Sequence, residues 1–581
     1  MKLLLSVTVA SLVLLADPSS SSTLRSVSHN NRRLSYELIA SYEPRSQVTD
    51  HNAIDLDQAT MEDQLAIGTD VSFEKARRVY EEGGHSKSVA MVKLSSPLTS
   101  GLKKATAVSG KNDDGASVYG KIYEDYPNGS TTIGVQYKTT DDQKSYVGCQ
   151  VGGLPKQNTA GCLASTGSLS IDGTKVQYTY DPTTANTNKR TIQKFSTDSE
   201  AKMYRCENCP YDTYRKFREY YGHFDYADKW IQAAFDGRST ALSNGNANFV
   251  RYGFKGRTEA IKKATAYMSI WMYVIREMED ALDDCQNGCK TTACNEDPVH
   301  AWDEAVAFYT GSLEGVDGAN SGKLLHALAD KRCENFKTCG PLASSTEGSS
   351  HVNLEIFRDF ALGSRKLAAG QCADVKPHKE RIERMMAIPL VQGTLRYAYI
   401  TSTDGSAGEK AEAEGAVFAA SVLPLVHACD EDAAAVIYDN MRTGQANGAN
   451  FAQVKTAFES VYTCMGIRAS DVGGLWNADN GDYFIGAKPT KMSSKRTSGS
   501  VNLPLIIGCT AGGVVAGIIL YLFMTKCFCN NKAPLDLKED PLALSEEPVV
   551  VETAAEDSAV ITNEEDPLPS TNSEMEPVEI S

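Results

Sequence analysis

The chain has 581 residues, 41% of them hydrophobic and 23% charged, and a formal net charge of −16. That length is enough for a large buried core. Residues 533–581 hold 14 acidic side chains against Lys538 alone, so the remainder is nearly neutral, has no basic face, and nucleic acid is excluded as a partner.

Met1-Lys2 followed by the apolar run Leu3–Ala16 reads as a secretory signal peptide over residues 1–20. Residues 23–55 are polar and read as loose. Short helices follow at 59–67 and 73–80, ended by Gly83-Gly84, in an N-terminal region spanning 56–200. From Ser88 to Ile192 the pattern changes to period two with turn punctuation. The strands around Pro127-Asn-Gly129 and around Asp172-Gly173 read as two antiparallel hairpins, because Asn-Gly and Asp-Gly supply the positive φ that tight turns need. Asn128-Gly-Ser130 is a glycosylation sequon on the first of these turns.

From Thr197 onward the chain reads as helical, with amphipathic stretches at 259–284, 299–312, 324–336, 352–369, 378–399, 412–427 and 432–441. A unit occurs twice, over roughly 223–313 and 323–423. Ala227-Asp-Lys229 returns as Ala329-Asp-Lys331, Glu304-Ala-Val-Ala-Phe308 as Glu414-Gly-Ala-Val-Phe418, and Ile275-Arg276 as Leu395-Arg396. The expected fold is therefore mainly α: internally duplicated helical bundles over 201–320 and 321–465, with a small antiparallel β region. Residues 466–502 read as a stalk. The uncharged run 503–524 is long enough for a single C-terminal transmembrane helix, and 525–581 for an acidic cytoplasmic tail. A signal peptide followed by one span predicts a single-pass type I plasma-membrane protein. Gly508/Gly512 and Gly513/Gly517 have the spacing of a homo-oligomerising span, and tail segments 540–544 and 564–568 suit endocytic adaptors. Twelve of the 15 cysteines precede the span, an even number in an oxidising compartment, so disulfides are expected. Cys149/Cys162 and Cys333/Cys339 are near enough to close local loops. Cys206-Glu-Asn-Cys209 has CxxC spacing, but without a second such pair a disulfide is favoured over zinc.

No Gly-x-Ser-x-Gly, His-Glu-x-x-His or Walker pattern is present. The helical part instead places hard donors on interior-facing positions: Asp228 and Asp330, Glu304 and Glu414, with Tyr226 and His223 in a tyrosine-rich stretch. His300 and Glu304 are at i, i+4, as are His326 and Asp330, so each pair can point at one ligand. Fe3+ suits carboxylate and phenolate oxygens completed by His. Arg276 and Arg396, at corresponding places in the two copies, have the forks to clamp carbonate. Each assignment has a plain competitor. Arg276 has Glu279 and Asp280 within one turn for an ion pair, His300 and Glu304 border an apolar stripe, and the tyrosines suit packing.

Several strings resemble one family. Gly83-Gly-His-Ser-Lys-Ser88, Ala301-Trp-Asp-Glu-Ala-Val-Ala-Phe-Tyr-Thr-Gly-Ser312, His326-Ala-Leu-Ala-Asp-Lys-Arg-Cys-Glu-Asn-Phe336, Pro389-Leu-Val-Gln-Gly-Thr-Leu-Arg-Tyr-Ala-Tyr399 and Ala416-Val-Phe-Ala-Ala-Ser-Val-Leu-Pro-Leu-Val426 are similar to the algal iron-assimilation proteins. These comprise the low-iron-inducible periplasmic protein of green algae and the phytotransferrins, or iron-starvation-induced proteins, of diatoms. The resemblance covers about residues 56–475. It implies a receptor, not an enzyme, that captures ferric iron at the cell surface with carbonate as synergistic anion and is then internalised to endosomes. It assigns no ligands. An imelysin-type metallopeptidase and a structural cell-surface protein are the competing classes, although His300-x-x-Asp303-Glu304 departs from the former's His-x-x-Glu.

Overall fold

Between Ser88 and Asn188 the chain forms strands that close on themselves, with Ser88–Leu94 and Thr132–Tyr137 buried along almost their whole length and Thr174–Thr179 largely exposed. The computed structural model describes residues 38–138, 149–204, 211–287, 298–314, 321–403, 407–444 and 448–490. The expected signal peptide, transmembrane helix 503–524, acidic tail and Cys206-x-x-Cys209 lie outside the described residues. No helix among those described is long and apolar enough to cross a membrane.

The seven-stranded sheet is antiparallel throughout. Strand Ser88–Leu94 pairs with Thr132–Tyr137 as well as with Thr174–Thr179 and Asn186–Asn188, which turns the sheet into a small barrel. Its core holds Val92, Ile122, Ile133, Leu169 and Tyr178, stapled by Cys149–Cys162. Both predicted hairpins form. Ile171 faces Thr174 across the two-residue turn Asp172-Gly173, whose φ angles of 47° and 78° match the requirement read from the Asp-Gly pair. Asn128 is exposed on the other turn, as a glycosylation site must be.

The helices match the amphipathic stretches to within a few residues, with two differences. The predicted helix 259–284 runs from Phe254 to Asn287 and contains a π-helical segment, Thr265–Ile270, on which every residue is buried. An additional helix, Phe451–Met465, is tied back by Cys429–Cys464. The helix pairs carrying the related strings pack alike: Trp271–Asn287 against Pro298–Thr310, and Lys376–Thr403 against Gly408–His427.

The helices carrying the related strings also interlock. Gly408–His427 lies on Phe254–Ala264, and Pro298–Thr310 on His351–Ala368, so the described residues as far as Thr490 form one unit. The stretch expected to be a stalk from 466 is folded onto this body as far as 490. Gln392 donates to the Val472 carbonyl at 2.8 Å, the Lys337 ammonium sits 3.5 Å from the Trp476 ring centre, and Phe484 packs on Tyr399. Its Gly and Ser content suggested a solvated tether, but its aromatic side chains have a surface to cover.

Candidate metal centre

Pro298 opens a helix that is almost wholly buried as far as Thr310, and His300 and Glu304 stand one turn apart on it. Opposite them is Thr49–Asn52, a single helical turn started by Gln47, whose amide oxygen accepts from Thr49 N at 2.9 Å. That turn delivers His51, only 4% exposed, with Nε2 in contact with Glu304 Oε1. His300 Nε2 reaches the same oxygen at 3.2 Å, and the imidazoles meet edge to face with centres 5.6 Å apart. His51, His300 and Glu304 therefore present three donors to one point.

A surrounding layer fixes these groups. His51 Nδ1 lies 2.9 Å from Asp50 Oδ1, and Asp50 Oδ2 pairs with Arg190 Nη1 at 3.1 Å. The same guanidinium nitrogen donates to Ser86 Oγ, which donates to the Asp50 carbonyl at 2.6 Å. His300 Nδ1 is 2.8 Å from Ser46 Oγ. Ser46 in turn donates through both its amide and its hydroxyl to Asp303, which also takes the Tyr42 hydroxyl and the Arg45 amide. Asp303 thus ties segment 42–46 to the helix bearing the ligands, and so orients His300 from behind. Burial alone would raise the Glu304 carboxyl, but His51 and His300 hold it well below the usual carboxylate range. Burial would raise Asp50 as well, and His51 and Arg190 hold it well below.

His51 and His300 border a cavity of about 990 Å3 between the helices and the barrel, which Lys87, Lys121 and Arg190 also line together with Asp50, Glu124 and Asp125, while Glu304 lies buried behind them. Ser86 and Lys87 come from Gly83-Gly-His-Ser-Lys-Ser88. Its His85 is locked to Asp57, receiving no role at the cavity. Two imidazoles and a carboxylate form a donor set that suits iron or zinc.

The other expected ligands are distributed through the body. Asp330 is brought together with His326 and Glu314 in a second group. Asp228 is half-buried and accepts from the Tyr80 hydroxyl at 2.9 Å and the Gln193 amide at 3.2 Å. Burial pushes its carboxyl up despite these donors. Glu414 takes the Tyr397 hydroxyl and stands 3.7 Å from Lys263 Nζ. Tyr226 stacks on Tyr221 with ring centres 4.8 Å apart, in the packing role its stretch allowed. His223 is half-buried between helices Asp212–Tyr221 and Tyr226–Asp236, outside both groups.

Arg276 pairs with Glu277 at 2.5 Å and Asp280 at 3.1 Å, so the i+4 ion pair is realised. Arg396 is buried with its guanidinium 5.1 Å from the Tyr397 ring centre. Neither arginine borders the cavity; the guanidinium that does is Arg190. His51, Asp50 and Arg190 were not anticipated. A single helical turn has no periodicity to read, and Arg190 lies at the seam between barrel and helices. Of this place the sequence marked only His300 and Glu304, one turn apart on a single helix.

The model of a family described as low iron-inducible periplasmic protein matches residues 189–487. No curated protein and no solved structure matches the chain.

Proposed function

Because the chain belongs to the low iron-inducible periplasmic protein family, we propose that it captures ferric iron outside the cell for uptake, as a binding receptor rather than an enzyme. The observation that carries the reading is the convergence of His51, His300 and Glu304 beside a cavity to which Arg190 and Lys87 contribute positive charge.

Charge decides what else the site needs. Two neutral imidazoles and one carboxylate offset one of three ferric charges, and a buried excess of two is too costly to leave. Carbonate, a dianion with hard oxygens, supplies the remainder from the cavity side. In this reading Arg190 and Lys87, which line the cavity, receive it in the role expected of Arg276 and Arg396. Acid would protonate carbonate and the imidazoles together, favouring release in an acidified compartment. The apolar run 503–524 and the acidic tail suit a surface-anchored receptor that is internalised.

Ferric titration of the purified chain with and without bicarbonate tests this. The parent is expected to bind one ferric ion in a bicarbonate-dependent way, and His51→Ala and Glu304→Gln to lose at least 100-fold in affinity. Equal binding by parent and both variants would remove the site, and equal binding without bicarbonate would remove the anion.

A further inference from the structure

Beyond Thr310 the chain turns at Gly311, with φ +79°, and buries Glu314. Glu314 is 0% exposed, and among the described residues neither of its carboxylate oxygens accepts a hydrogen bond. It faces helix Leu325–Phe336, on which His326 and Asp330 stand one turn apart. His326, 6% exposed, directs Nδ1 between the two acids, 3.4 Å from Glu314 Oε1 and 3.5 Å from Asp330 Oδ2, and that nitrogen makes no hydrogen bond. Donors each ~2.0–2.2 Å from a shared tetrahedral ion stand ~3.3–3.6 Å apart, so these spacings are edges of a coordination polyhedron.

The supporting layer has the same form. Asp330 Oδ1 accepts from Ser350 N at 2.7 Å and Asn353 Nδ2 at 2.8 Å, which leaves Oδ2 for the centre. Asn353 also donates to the His326 carbonyl at 3.0 Å, and is itself fixed by the Tyr309 hydroxyl at 2.6 Å. Groups that hold ligands from behind in this way are what metal sites require. Among the described residues the only basic side chain within ion-pair distance of Glu314 or Asp330 is His326, so no lysine or arginine offsets these two carboxylates. A cavity of about 330 Å3 leads to His326 and Asn353 past Arg358, whose guanidinium is paired with Glu355 at 2.8 Å.

We propose that Glu314, His326 and Asp330 form a second metal site, separate from the one that includes His51, and that it holds a resident divalent ion of the Zn2+ class. Two carboxylates and a neutral imidazole balance a dication completely, whereas the first site balances only one charge and needs an anion from solution. The ion pins the segment after Thr310 to the next helix. Its role is to hold the fold, not to be transported.

Zn2+ calorimetry on the chelator-stripped full chain tests the proposal. Glu314→Gln, which is nearly isosteric, is expected to bind one Zn2+ fewer than the parent. The chain carrying His51→Ala and Glu304→Gln is expected to keep one Zn2+ whose affinity falls at least 100-fold when Asp330→Asn is added. X-ray absorption of the Zn2+ retained by that double variant should show one imidazole among oxygen donors. Equal Zn2+ stoichiometry in parent and Glu314→Gln would overturn the site, as would a sulfur or two-imidazole shell. Ferric binding by Glu314→Gln is expected to stay at the parent level, so loss of this site and loss of the ferric site read out separately.

Discussion

Asp303 and Asp228 are both carboxylates taken from water, yet they do different work because of what they face. Asp303 accepts four hydrogen bonds from segment 42–46 and thereby orients His300 through Ser46, without a path of its own to the shared point. Asp303→Asn is expected to weaken ferric binding by ~10–100-fold at unchanged stoichiometry, the usual cost of loosening an outer-shell group, measured by competition with a chelator. Asp228 joins Tyr80 and Gln193 far along the chain and belongs to neither metal group. Asp228→Ala is expected to cost ~1–3 kcal/mol in urea unfolding by stranding those donors, with iron stoichiometry intact; loss of iron would return Asp228 to the site. Helical spacing correctly placed an acid on an apolar stripe at 228. It did not distinguish a carboxylate answered by a hydroxyl and an amide from one left for a metal, because the answering groups are 148 and 35 residues away.

At the scale of elements, the helix Pro298–Thr310 carries the site, and its seating depends on Trp302, which is 0% exposed and donates to the Phe360 carbonyl at 2.9 Å. The opposing helix His351–Ala368 makes room with Gly363: a Cβ there would stand 2.2 Å from the indole ring. Gly363→Ala must therefore push the two helices apart. It is expected to destabilise the fold by ~1–3 kcal/mol and to weaken ferric binding as well, since His300 and Glu304 move with Trp302. Thermal unfolding and iron titration of the same sample check both, and unchanged iron affinity would show that the helix can shift without carrying its ligands out of place. Most helices and both hairpins were legible because period and turn chemistry are local properties. The turn Thr49–Asn52 was not, since four residues carry no period and its register is set by Gln47 and by burial against Phe308.

For the whole molecule, the buried charges of the first site predict how stability depends on pH. Glu304 and Asp50 have carboxyls held well below the ordinary range, so their contribution to stability is complete above the unfolded values near ~4 and is lost as pH falls through the lower, folded values. The metal-free parent is expected to lose stability more steeply below pH ~4 than Glu304→Gln in urea titrations at successive pH values. Parallel curves would mean that the imidazoles do not stabilise the Glu304 carboxylate. The sequence by itself determined the class of the fold, the place of the β region and the positions of most helices, since composition and periodicity act within a few turns of chain. Only the tertiary structure decided that the helices carrying the related strings interlock, that Asp330 belongs with Glu314 while Glu304 belongs with His51, and that Arg190 rather than Arg276 or Arg396 borders the cavity. Those choices depend on which helices pack together. Burial makes such packing favourable without specifying partners locally, so side chains distant in sequence become neighbours only when the body closes.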